Sequence, residues 1–150
     1  MTQGLFIVTD NVDAEQLQRL ICQQITELWR EFRSVRVYCV DQSQAEQLDE
    51  ALWQQPTEAF VPHNLSGEGP PHGAPVELCW PNCQAPKRRP AAAVNLQREA
   101  IATRGLKKLI DWVPSDEAGR ELARQRYKVY RSEGVQLETK QAASINDLSD

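Results

Sequence analysis

The run GLFIVTDNVDAEQLQRLICQQITELWREFRSVRVYCV, residues 4–40, switches hydrophobic period twice. Residues 4–8 form a short apolar block of strand length. Residues 13–32 then set Leu17, Leu20, Ile21, Leu28 and Phe32 at helical spacing, the pattern of an amphipathic helix. Residues 35–40 return to β-branched and aromatic types, a second strand. Strand, helix, strand within so few residues is the unit from which parallel sheets are built. The unit continues, because Asp41 can cap a helix that carries Ala45, Leu48, Leu52 and Trp53. Strands are expected at 76–80 and 91–96, and a further apolar run at 106–113. Pro114-Ser115 then offers the start of a helix that continues to Gly134, a residue suited to a left-handed C-terminal cap. The expected fold is α/β: a single domain of three layers, with a mostly parallel central sheet flanked by helices on both faces. Its expected extent is residues 1–134, with 135–150 a polar and disordered C-terminal tail.

Composition narrows the function. The mean hydropathy of -0.56 leaves no apolar run long enough to span a bilayer, so no membrane role is expected. The opening residues carry no basic segment or small-residue cleavage site, and a cytoplasmic location is expected. A net charge of -4 opposes broad attachment to duplex DNA, whose affinity comes from neutralised phosphates; any nucleic-acid role is expected to be indirect. Four cysteines in such a chain read as reduced thiols, not a disulfide framework.

Motifs for chemistry are sparse. From residue 56 to 75 periodicity fails, and five prolines and three glycines mark a long loop. Gly67, Gly69 and Gly73 superficially suggest a nucleotide loop, but the spacing is wrong and Pro70-Pro71 interrupts it. No Gly-Lys-Ser/Thr phosphate cradle occurs, and His63 has no nucleophile context. Cys79 and Cys83, with His63 and His72 upstream, are spaced too weakly for a zinc site; Cys79 reads as a strand residue and Cys83 as a loop thiol. No metal, no cofactor and no catalytic residue are expected. The last helix is richer. At about 100° per residue, Arg120, Arg124, Tyr127, Lys128 and Arg131 share one sector, with Ala118, Leu122 and Val129 nearly opposite. The first sector is either a solvated charged face or an anion-binding stripe, and the second is expected to dock on the sheet. Trp53, Phe60 and Val61 surround the irregular segment, as core or as a partner surface.

Two blocks carry a family resemblance. Leu48-Asp49-Glu50-Ala51-Leu52-Trp53, Phe60-Val61-Pro62-His63-Asn64-Leu65 and Gly73-Ala74-Pro75-Val76 follow one another in the order and spacing of the chi subunit of bacterial DNA polymerase III. Ala123-Arg124-Gln125-Arg126-Tyr127-Lys128-Val129-Tyr130-Arg131, ending at Gly134, resembles the close of the same family's fold. The resemblance implies a non-catalytic adaptor of the clamp-loader assembly. It implies two protein partners: the psi subunit and the acidic C-terminal tail of single-stranded-DNA-binding protein. By that likeness Arg124 would hold the tail's carboxylates, with Lys128 and Arg120 adding positive potential. Val113 and Tyr127 would line a slot for its terminal phenylalanine. Trp53, Phe60, Val61, Pro62 and His63 would meet psi or, in some bacteria, a helicase-like protein. The architecture alone also permits a small nucleotide-binding domain or a direct binder of single-stranded DNA.

Overall fold

The computed structural model describes residues 1–54, 61–68, 74–83, 85 and 88–149, the last four by backbone alone. Its elements run β1 (Gln3–Val8), α1 (Ala14–Phe32), β2 (Val35–Tyr38), α2 (Gln42–Trp53), β3 (His63–Leu65), β4 (Val76–Cys79), β5 (Ala92–Asn95), β6 (Lys108–Val113), α3 (Glu117–Ser132), β7 (Gln136–Gln141) and α4 (Ala142–Ser149). The seven strands make one sheet, ordered β3-β4-β2-β5-β6-β1-β7, and every pairing is parallel. The α/β reading with a largely parallel sheet therefore holds, and no helix among the described residues is long and apolar enough to cross a membrane.

Alternation along β1 separates the two sides of the sheet. Ile7 joins a cluster with Leu20, Ile25 and Leu28 of α1, Leu48 and Leu52 of α2, and Ala142 and Ile145 of α4. Phe6 faces the other way, into a cluster with Leu109 and with Tyr130 of α3. Burial on both faces explains why β4 and β5 are buried along their whole length and read as unbroken apolar runs. Helix ends follow local chemistry. Asp13 accepts the Gln16 N–H at 2.8 Å while the Gln16 side chain accepts the Asp13 N–H at 3.0 Å, a reciprocal cap. Gly134, expected as the left-handed cap, has φ +85°.

Two expectations need correction. Residues 136–141, read as part of a disordered tail, form β7 and pair with β1 from Gln3↔Gln136 to Val8↔Gln141. The alternation of Val135, Leu137 and Thr139 is short and polar between, so it looks like tail until β1 offers an open edge to pair with. The long irregular connection likewise contains β3, three residues paired with β4 from His63↔Val76 to Leu65↔Leu78.

Candidate functional site

The last helix, α3, is anchored by a cap and a buried ion pair. Asp116 accepts the Gly119 N–H at 2.8 Å, and Glu117 and Arg131 complement the helix dipole at its two ends. The face turned to the sheet is Ala123, Arg126 and Tyr130, not the expected Ala118, Leu122 and Val129; Ala118 and Val129 are exposed and Leu122 is half-buried. The physical reason is Asp111 on β6. Its carboxylate accepts Arg126 Nε at 3.1 and 3.2 Å, and the guanidinium also donates to the carbonyls of Arg98 and Trp112 at 2.9 Å. The Tyr130 hydroxyl donates to Asp111 Oδ2 at 3.0 Å and accepts the Ile101 N–H at 3.2 Å. An arginine thus points inward because a buried acid meets it, a contact between residues fifteen apart that a hydropathy pattern does not encode. Burial pushes the Asp111 carboxyl up from its ordinary range, against the pull of Arg126, and burial with the neighbouring Asp111 pushes the Tyr130 hydroxyl up as well.

With that face inward, the basic sector turns toward β7. A cavity of about 340 Å³ lies between them, and Phe6, Val113, Arg120, Arg124, Tyr127, Lys128, Arg131 and Thr139 are among the side chains that line it. All five expected residues for an acidic tail, Arg120, Arg124, Tyr127, Lys128 and Val113, border this one space. Its apolar part is built from packed rings: Tyr127 packs on Phe6 at 5.3 Å between centroids and Phe6 packs on Tyr130 at 5.9 Å. Around it, Arg120 is paired with Asp10, and Arg124 lies 3.0 Å from Glu121 with both side chains about 60% exposed. Such an exposed pair is worth at most about 1 kcal/mol, so Arg124 can exchange Glu121 for an incoming carboxylate at small cost. Lys128 and Arg131 take part in no ion pair among the described residues. The sequence reading missed Phe6 and Thr139. They are adjacent in the sheet through the Phe6↔Thr139 register, and assigning residues 135–150 to a tail hid the second of them.

The residues expected at a second partner face are less uniform. Trp53 closes α2 with 58% of its surface exposed and packs on the His63 ring at 5.0 Å. His63 itself is buried, with its ring nitrogens 2.6 Å from the Val61 carbonyl and 3.2 Å from that of Asp49. Val61 is fully buried and joins the core, and Pro62 is half-buried. Phe60 lies outside the described residues.

Other chemistries fit poorly. At the carboxyl ends of the strands, where doubly wound sheets hold nucleotides, the N-termini of α1, α2 and α3 are capped by Asp13, Asp41 and Asp116. Each carboxylate occupies a backbone donor and sets a negative charge where a phosphate would dock. Cys79 is buried with its sulfur 2.8 Å from Ser66 Oγ, and burial pushes its thiol up to about 12. Among the described residues no cluster of three His, Cys, Asp or Glu side chains could hold a metal ion, and His72 lies outside them.

Comparison with known proteins bears on this geometry. The family model described as DNA polymerase III chi subunit, HolC, matches residues 1–138. The chain is similar to DNA polymerase III subunit chi of Escherichia coli (strain K12), 41% identical over 143 residues that cover 93% of this chain and 97% of that one. It is also similar to the subunit of that name from Haemophilus influenzae, 35% identical over 139 residues and covering 92% and 95% of the two chains. The Pseudomonas aeruginosa subunit is 30% identical over 139 residues, with the same coverage of 92% and 95%.

Proposed function

The chain belongs to the DNA polymerase III chi subunit family, and from that membership we propose that it works as a non-catalytic adaptor in DNA replication, in the bacterial cytoplasm, holding the acidic C-terminal tail of single-stranded-DNA-binding protein in the α3 cavity. The observation that carries this reading is the union of an apolar slot and four cations in one space. Arg124 and Lys128 receive the tail's carboxylates, Arg120 and Arg131 extend the positive rim, and Phe6, Val113 and Tyr127 enclose its terminal phenylalanine. A charge-assisted hydrogen bond contributes about 1.5–3 kcal/mol and a buried phenylalanine about 1.5–3 kcal/mol, against the cost of ordering a flexible peptide. The balance is a weak, salt-sensitive contact, useful because a multimeric partner presents several tails at once.

The psi subunit is assigned to the other end of the molecule, where Trp53 is the exposed aromatic anchor. A helicase-like protein that uses the chi partner face would compete for the same surface. The His63 ring packs against Trp53 and holds it in place.

The test is titration of a labelled acidic, phenylalanine-terminated peptide into wild type, Arg124→Ala and Trp53→Ala. Wild type should bind saturably and more weakly as salt rises, Arg124→Ala should lose at least ~10-fold, about one charge-assisted hydrogen bond, and Trp53→Ala should bind as wild type but fail to capture psi. Equal peptide affinity in wild type and Arg124→Ala would remove α3 from the contact.

A further inference from the structure

The amino ends of the central strands carry a cluster of cations that the tail cavity does not use. Arg88 and Arg89 precede β5, while Arg104, Lys107 and Lys108 lead into and open β6. Folding brings these segments side by side. The Lys107 N–H donates to the Ala91 carbonyl at 2.7 Å, the Gln3 N–H to the Lys107 carbonyl at 3.0 Å, and a β-carbon added at Gly105 would sit 3.7 Å from Arg89 Cδ. Arg36, on the adjacent β2, donates to the Arg88 carbonyl at 2.8 Å. Arg88, Arg89, Arg104 and Lys107 are exposed, and none of the four enters an ion pair among the described residues.

Acids border this end of the sheet: Glu77 lies close enough to Arg36 and Arg88 for their charges to favour its carboxylate, and Glu138 lines one cavity with Lys108. Glu77 is buried on β4, where its carboxylate accepts the Ala74 N–H and the Ser66 hydroxyl, and Glu133 accepts the Thr103 hydroxyl at 3.0 Å. Cations at helix C-termini are explained by the helix dipole, but these four stand on turns that lead into strands, where no helix end calls for them. Cations gathered at one end of the sheet raise the local positive potential, which a bound polyanion relieves. Adjacent strands are about 4.8 Å apart, so the strands β2, β5 and β6 that carry or follow these cations span about 10 Å, room for consecutive phosphates. Three of the four exposed cations are arginines, whose planar forks match phosphate oxygens.

We propose that this end of the sheet, through Arg88, Arg89, Arg104 and Lys107, holds the phosphate backbone of single-stranded nucleic acid without reading its bases. The choice of nucleic acid among polyanions rests on membership in a DNA polymerase subunit family; the surface itself is independent of the tail-binding reading. Net charge conceals this surface, because acids elsewhere on the chain outnumber the clustered cations.

The experiment is fluorescence anisotropy of a labelled oligothymidylate about 20 nucleotides long, titrated with the full chain at several salt concentrations. Four phosphate contacts predict a log–log salt slope of about -3, so a fourfold rise in salt should weaken binding ~50-fold. The combined variant Arg88→Glu, Arg89→Glu, Arg104→Glu and Lys107→Glu, checked for folding by circular dichroism, should lose oligonucleotide binding yet keep affinity for the acidic peptide. Arg124→Ala with Lys128→Ala should do the reverse, which separates failure of this proposal from failure of the tail reading. No wild-type binding at low salt, or binding that survives the four charge reversals, would overturn the proposal. Competition by polyglutamate as effective as by unlabelled oligonucleotide would overturn it too, and would reassign the surface to an acidic protein.

Discussion

Replacing Arg126 by alanine removes the only positive charge that touches Asp111 among the described residues, and the consequence follows from the contacts. The Arg126 side chain is 7% exposed and that of Asp111 1%, so the intact pair is shielded from water and alanine leaves the carboxylate without its charged partner. The orphaned carboxylate keeps the Trp112 N–H at 2.7 Å, Asn95 Nδ2 at 3.2 Å and the Tyr130 hydroxyl at 3.0 Å, and the Arg98 and Trp112 carbonyls each lose a donor. Breaking a buried pair by removing one partner costs about 3–5 kcal/mol. For a chain of this length, at roughly 3 °C per kcal/mol, the melting midpoint should fall by ~12 °C. Thermal and urea unfolding, followed by circular dichroism, measure the loss. The double variant Arg126→Met with Asp111→Leu should recover part of it, because both buried charges are then gone. A loss below about 1 kcal/mol for Arg126→Ala, or a double variant no more stable than the single one, would refute the argument that this pair anchors α3.

Two further outcomes test the fold around the sites. Ending the chain after Gly134 removes β7 and α4, bares the β1 edge and strips Ala142 and Ile145 from the core, so stability should drop by at least ~2 kcal/mol and tail-peptide affinity should fall with the loss of Thr139; a truncated chain unchanged in both would return these residues to the status of a tail. Burial holds the Glu77 carboxyl above its ordinary value, so the stability it contributes is complete below about pH 4.3 and is lost as pH rises through the raised folded value. Glu77→Gln should flatten that stretch of the stability–pH curve, and an unaltered slope would show that another group sets it.

Much of the architecture could be read along the chain, because it is written in local periods. The alternation of strand and helix from residue 4 to 53, the Asp41 cap and the glycine after α3 are all decided within a few residues of themselves. The basic sector of α3 was legible for the same reason, since helical geometry alone puts Arg120, Arg124, Tyr127, Lys128 and Arg131 together. The family blocks marked the Trp53 region but could not say which side chains there reach the surface. Packing under α2 decides that, and it takes Val61 and His63 inward.

What the sequence by itself determined is the set of elements, the class of sheet and one charged helical face, each a matter of neighbours in the chain. Tertiary structure alone decided which face of α3 turns inward, because the inward arginine answers an aspartate on another strand. It also decided that a polar stretch after Gly134 becomes an edge strand walling the cavity beside α3, since the free edge of β1 gives that stretch a partner. The cations at 88, 89, 104 and 107 are scattered in sequence and become one surface only when β5 and β6 lie side by side. Charge acts across space, and the chain order does not record which charges folding makes neighbours.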